Sequence, residues 1–176
     1  MLKDSVFKDK YAFFSASVMV VLLLVSALFA AFASNKVLDE NIILRYFTVL
    51  QSSYLPVDRW SSASHFEQVS LLCYSIVICA LPFSVYFCWR YLWTREHGLI
   101  AKPALNIWDR FLVLLTFLMM GSLFFVFWFL FDGDDSRRFK MGSSRLDLAL
   151  YGGPLVCAMG LFISMAIAAL VRLFKR

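Results

Sequence analysis

Four long apolar runs without a charged residue set what this chain can become: Tyr11–Ala33, Val69–Trp89, Phe111–Phe131 and Leu148–Val171. Each is longer than twenty residues. At about 1.5 Å per residue, each reaches about 30 Å as a helix, the thickness of a bilayer's hydrocarbon core. Peptide groups in hydrocarbon have no water to bond, so such a segment satisfies them within a helix. The pattern predicts an all-α membrane protein, a four-transmembrane-helix bundle forming a single domain over residues 1–176. Its outer loops fall at 34–68 and 132–147 and its inner loop at 90–110. Composition agrees: 61% of residues are hydrophobic and 16% charged, whereas a soluble domain is nearer a quarter charged.

The net charge of +5 raises the question of nucleic acid. The basic residues gather into no recognition helix or basic tract but sit beside the apolar runs, where they orient spans in the membrane. With the N-terminus inside, ten basic residues face the cytoplasm: Lys3, Lys8, Lys10, Arg90, Arg95, Lys102, Arg110, Arg172, Lys175 and Arg176. Seven lie outside. Ten bases less four acids make +6 inside, and seven less eight make −1 outside, together the stated +5. Both termini are therefore expected in the cytoplasm. Trp89, Trp93 and Trp108 fall at the inner border and Trp60 and Trp128 near the outer one, as an aromatic belt requires. Ala31-Phe32-Ala33 has the form of a signal-peptidase site, but the apolar run before it is too long for a signal-peptide core, so it reads as an uncleaved first span.

Residue types that carry chemistry are scarce. Cys73, Cys79, Cys88 and Cys157 all lie inside apolar runs with no C-x-x-C pair, which suits buried thiols rather than a disulfide-exchange enzyme. His65 and His97 fall on opposite sides of the membrane, so they share neither a metal ion nor a catalytic dyad. Asp132, Asp134 and Asp135 lack an acidic residue at the twelfth loop position, where Ser143 or Ser144 stands, so they read as a solvated turn balanced by Arg137 and Arg138. No enzyme, metal or cofactor is expected. The spans also lack the intramembrane charges that mark an ion route. Pro82 is expected to kink the second span in mid-bilayer, and Gly152-Gly153-Pro154 to stand near the outer start of the fourth.

Two features point to recognition instead. Gly160, Ser164 and Ala168 recur every four residues on span four, a stripe that lets another helix approach closely. It serves either packing among the four spans or docking of a partner's helix. The second feature is the long outer loop, where Ile42/Ile43, Tyr46/Phe47 and Val49/Leu50 follow a three-and-four spacing. That makes one face of a helix apolar, lying on the headgroups or offered to a partner. Span three crowds Phe124, Phe125, Phe127, Trp128, Phe129 and Phe131 into its outer half, bulk that suits lipid or an aromatic contact.

Length, four spans, internal termini and a first outer loop longer than the second resemble the four-span immunity proteins that protect bacteria against pore-forming colicins of the A, B and N type. The helix-like stretch Ile42–Tyr54 running into Leu55-Pro56, and the basic tail from Leu170 to Arg176, are similar to that family as well. The charged second outer loop, Asp132 to Lys140, departs from the family's pattern. The resemblance implies a protein that grips a toxin's inserted hairpin laterally and holds the pore closed. The contacts expected are Tyr46, Phe47, Tyr54 and Trp60 in the first outer loop, Arg137 and Arg138 in the second, and Gly160, Ser164 and Ala168 in span four. The expected partners are then a pore-forming toxin domain and the lipid bilayer. Other readings are an accessory or assembly subunit of a membrane complex, an exclusion protein that blocks DNA transfer, or a small transporter.

Overall fold

A computed structural model describes residues 10–90, 106–130 and 141–174, with side chains described for all of these except 127–130. Every regular element among them is helical. Four helical stretches are long and apolar enough to cross a membrane: Lys10–Phe32, Glu67–Cys88, Ile107–Val126 and Arg145–Phe174. Backbone contacts divide the chain into two compact units, one of residues 1–19, 81–127 and 158–176 and one of residues 20–80 and 128–157.

In the second unit, the later part of α1 (Lys10–Phe32) is followed by three short helices, α2 (Val37–Glu40), α3 (Ile42–Ser52) and α4 (Val57–Ser61). These pack on α5 (Glu67–Ile78), which opens the second candidate span. Asn41 starts α3: its side chain accepts from the backbone N–H of Ile43 at 3.1 Å and of Leu44 at 3.2 Å, satisfying donors that a helix start leaves unpaired. The core is Val57, Trp60, Val69, Leu72, Tyr74 and Val77, all buried. Trp60 meets Tyr74 edge to face at 5.8 Å between ring centroids, a preferred aromatic geometry. Deeper along α5, Ser26 and Cys73 bond reciprocally, Ser26 Oγ to the Cys73 carbonyl at 3.3 Å and Cys73 Sγ to the Ser26 carbonyl at 3.4 Å. That pairing joins α1 to α5 with no polar atom left facing hydrocarbon.

The second candidate span is interrupted before Pro82, as the sequence leads one to expect. Helix α5 stops at Ile78, four residues before the proline, and α6 (Leu81–Cys88) resumes after a turn at Cys79 and Ala80. The amides of Cys79 and Ala80 bond to Ile76 and Val77 in tight three-residue turns. Pro82 has no N–H for the Ile78 carbonyl and its ring crowds it, which ends the regular ladder there.

The fourth span departs from expectation at its start. It begins with α8 (Arg145–Asp147) and a π-helical turn, Leu148–Gly152, before α9 (Gly153–Phe174). Pro154 therefore stands nine residues into the span rather than at its outer edge. The wider turn absorbs the missing proline N–H, a role π-segments commonly have within α-helices. Ser144 caps this start by accepting from the Asp147 N–H at 3.2 Å.

In the first unit, α6 packs with the early part of α1 and the later part of α9. Ser15 Oγ donates to the Phe83 carbonyl at 2.8 Å. A Cβ built on Gly160 would stand 2.5 Å from Ser84 Oγ and 2.8 Å from Ser84 Cβ, so only glycine permits this approach of α9 to α6. The same unit holds α7 (Ile107–Leu130), tied to α9 near one end by Arg172, which donates to both Asp109 carboxylate oxygens at 3.0 and 2.8 Å.

Candidate partner-binding surfaces

The expected contact residues separate sharply by burial. Gly160, Ser164 and Ala168 are all buried, the last two completely. Their stripe is used within the protein, and a partner's helix would reach Gly160 only by displacing α6. Trp60 is 1% exposed and serves as a core ring against Tyr74. Tyr46 and Tyr54 are 71% and 82% exposed, and Phe47 is half-buried. Arg137 and Arg138 lie outside the described residues. Of the nine, the described geometry leaves Tyr46, Phe47 and Tyr54 together on one accessible surface.

That surface belongs to α3, whose placement differs from that of a helix confined to the outside of the spans. Its start follows directly on α2, which is held by Gln68, one residue into α5: Gln68 Oε1 accepts from the Leu38 N–H at 3.1 Å and its Nε2 donates to Asp39 at 2.8 Å. Its end is marked by Gln51, whose Nε2 donates to Cys79 Sγ at 3.6 Å. Gln68 and Cys79 are eleven residues apart along the second span, about 16 Å of helix. Helix α3 thus runs beside α5 from its Glu67 end toward the middle of the span. Thr48 is buried on the inner side, while Ile42, Ile43, Tyr46, Val49 and Leu50 remain exposed on the other.

Arg145 closes the top of this unit, a role the sequence reading did not assign. Nη1 donates to the Ala33 carbonyl at 2.6 Å, Nη2 donates to the Asn35 side chain, and the guanidinium lies 5.7 Å from the centre of the Phe66 ring. It thus satisfies a carbonyl at the end of α1 while stacking on the residue that precedes α5. The signal was present in Ser144-Arg-Leu-Asp147, a capping pattern placing the helix start ahead of the uncharged run. Beside Arg145, the Gly142 carbonyl accepts from the His65 N–H at 2.8 Å.

A second accessible surface is the length of α7. Only 6% of its apolar window is buried, and Phe111, Leu112, Leu118, Met119, Phe125 and Val126 are exposed. Gly121 notches this surface: a Cβ placed there meets nothing within 4 Å. Phe117, Leu118, Gly121, Ser122, Phe125 and Val126 line a shallow groove of about 360 Å³. A larger apolar groove of about 450 Å³ lies beside the Pro82 break, between Leu81, Val85, Tyr86, Trp89 and Ile167. Among the described residues, no three His, Cys, Asp or Glu side chains are grouped to hold a metal ion.

These features define an all-helical protein, among the described residues, with four helices long and apolar enough to span a membrane. No protein-family model matches the chain, and no curated protein or solved structure is significantly similar to it.

Proposed function

We propose that this protein resides in a bacterial inner membrane with both termini in the cytoplasm and neutralises a pore-forming bacteriocin by lateral contact. The observation that carries the reading is the exposed apolar face of α3, with Tyr46 outward and Phe47 at its margin, together with the exposed Tyr54 in the turn after it. A toxin of this class inserts a hydrophobic hairpin from outside the cell. A resident protein that binds the closed state better than the open one shifts the equilibrium toward closed, and needs no catalytic group. Arg137 and Arg138 are retained in the proposal as polar contacts of the second outer loop.

The test is protection. Expressed in a sensitive strain and challenged with a panel of pore-forming bacteriocins, the protein should abolish killing by one of them and leave the others unaffected. Replacing Tyr46 and Phe47 with serine should remove that protection at unchanged membrane levels. Undiminished killing across the panel sinks the proposal.

A second reading follows from the exposed α7 face and its Gly121 notch: an accessory or assembly subunit that meets another protein's transmembrane helix. A stable complex with host membrane proteins in unchallenged cells would favour it. Reduced receipt of conjugative plasmids would instead favour the exclusion reading.

A further inference from the structure

We infer that α3 and the turn that follows it, residues 42–56, form a re-entrant segment whose apolar face is seated among the lipid acyl chains of the leaflet at the Phe32/Glu67 end of the spans. The inference rests on the four helices spanning a bilayer and is independent of any toxin.

Depth is the first argument. Helix α3 begins four residues after Leu38, which bonds to Gln68, and its last turn reaches Cys79, in the middle of a helix long enough to cross the membrane. Ile42, Ile43, Tyr46, Val49 and Leu50 therefore stand at the level of hydrocarbon, and they are the exposed side. An exposed apolar face at that level beside a membrane-spanning helix meets hydrocarbon, so lipid chains are the occupant this position supplies.

Polar satisfaction is the second argument, since irregular backbone inside a bilayer must find its own partners. The turn does so. The amides of Ser53, Tyr54 and Leu55 bond to Val49 and Gln51 carbonyls at 3.2, 3.2 and 2.9 Å, and Pro56 has no amide to satisfy. The serine and threonine hydroxyls are equally self-contained. Thr48 donates to the Arg45 carbonyl, and Ser52 and Ser53 both donate to that of Val49, at 2.9 to 3.1 Å. Serines that bond back to their own helix present hydrocarbon to the outside.

The charges set the limits of the segment. Arg45 lies only four residues beyond Asn41, about 6 Å below the helix start, close enough for its long side chain to reach the headgroups. Asp58 and Arg59 are adjacent and exposed on α4, where the chain returns toward Phe66. The buried-in-lipid face is thus that of α3, and α4 forms the polar flank.

The experiment measures depth in the full chain reconstituted in liposomes. Single cysteines replace Ile43, Tyr46 or Leu50 in a background with the four native cysteines changed to alanine, and each carries a nitroxide. Collision with oxygen relative to a water-soluble nickel complex should rise from Ile43 to Leu50, corresponding to about 10 Å of added depth over seven residues. Leu50 should match a reference label at Val20, on the same unit and six residues along α1 from the Ser26–Cys73 pair. Equal values at all three positions would mean a helix lying flat at the interface. Preference for nickel at Leu50 would mean water. Either result overturns the inference. Should the alanine background fail to fold, the same cysteines in the native chain, probed on intact cells with a membrane-impermeant maleimide, read the same point. Leu50 should stay unlabelled while a cysteine at Lys36 reacts, and equal reaction at both overturns it.

Discussion

Spans two and three have similar lengths and similar apolarity, yet 56% of one window is buried and 6% of the other. Hydrophobicity alone does not separate them. What differs is the distribution of small polar side chains. Span two carries Ser70, Cys73, Ser75, Ser84 and Cys88, all buried, with Cys73 paired to Ser26 and Ser84 beneath Gly160. Span three carries large aromatic side chains and one small notch at Gly121–Ser122. In a bilayer, lipid tails are as apolar as leucine, so close approach and interhelical hydrogen bonds decide which helix is packed against others. Apolarity makes a span, and small residues place it.

The comparison can be broken most forcefully at Gly160. Gly160→Leu puts its first side-chain atom against Ser84, so overpacking should cost about 1–3 kcal/mol. Membrane accumulation and the melting temperature in detergent should both fall clearly. Arg145→Ala should come next. It removes a charged donor to Ala33 and Asn35 and a ring contact with Phe66, a loss of about 1.5–3 kcal/mol before solvent screening reduces it. Melting temperature measures the loss, and Arg145→Lys should recover only part of it because lysine lacks the two-pronged geometry. The smallest effect belongs to Gly121→Leu. With nothing within 4 Å of the new Cβ, both the melting temperature and the membrane level should stay at wild-type values. A large loss there would show that span three is packed after all, and the contrast with Gly160 would collapse.

Much of the architecture was legible because one physical demand writes it into the chain. A span needs about twenty residues without charge, and four such runs mark the four helices. Pro82 was legible for the same kind of reason, since a missing N–H has one consequence in any helix. The start of span four was not, because counting uncharged residues passes over Arg145 and Asp147, which the helix tolerates at its capped end. The stripe at Gly160, Ser164 and Ala168 was visible as a pattern, but a pattern of small residues does not say whether the approaching helix is internal. The course of α3 was hidden most completely. Its apolar stretch is too short to register as a span, and its descent depends on Gln68 and Gln51 meeting partners about 30 residues away in sequence.

Arg145 has a consequence for the order of assembly. Its bond to Ala33 joins residues 112 positions apart. At about 5–20 residues per second, the ribosome needs roughly 6–22 s to make the chain between them. Through that interval the end of α1 and the loop after it are already synthesised, while the guanidinium that closes over them does not yet exist. The unit that holds α2, α3 and α4 is therefore locked only when the fourth apolar helix is delivered, and a nascent chain stopped before residue 145 carries the first three with that unit still unfastened.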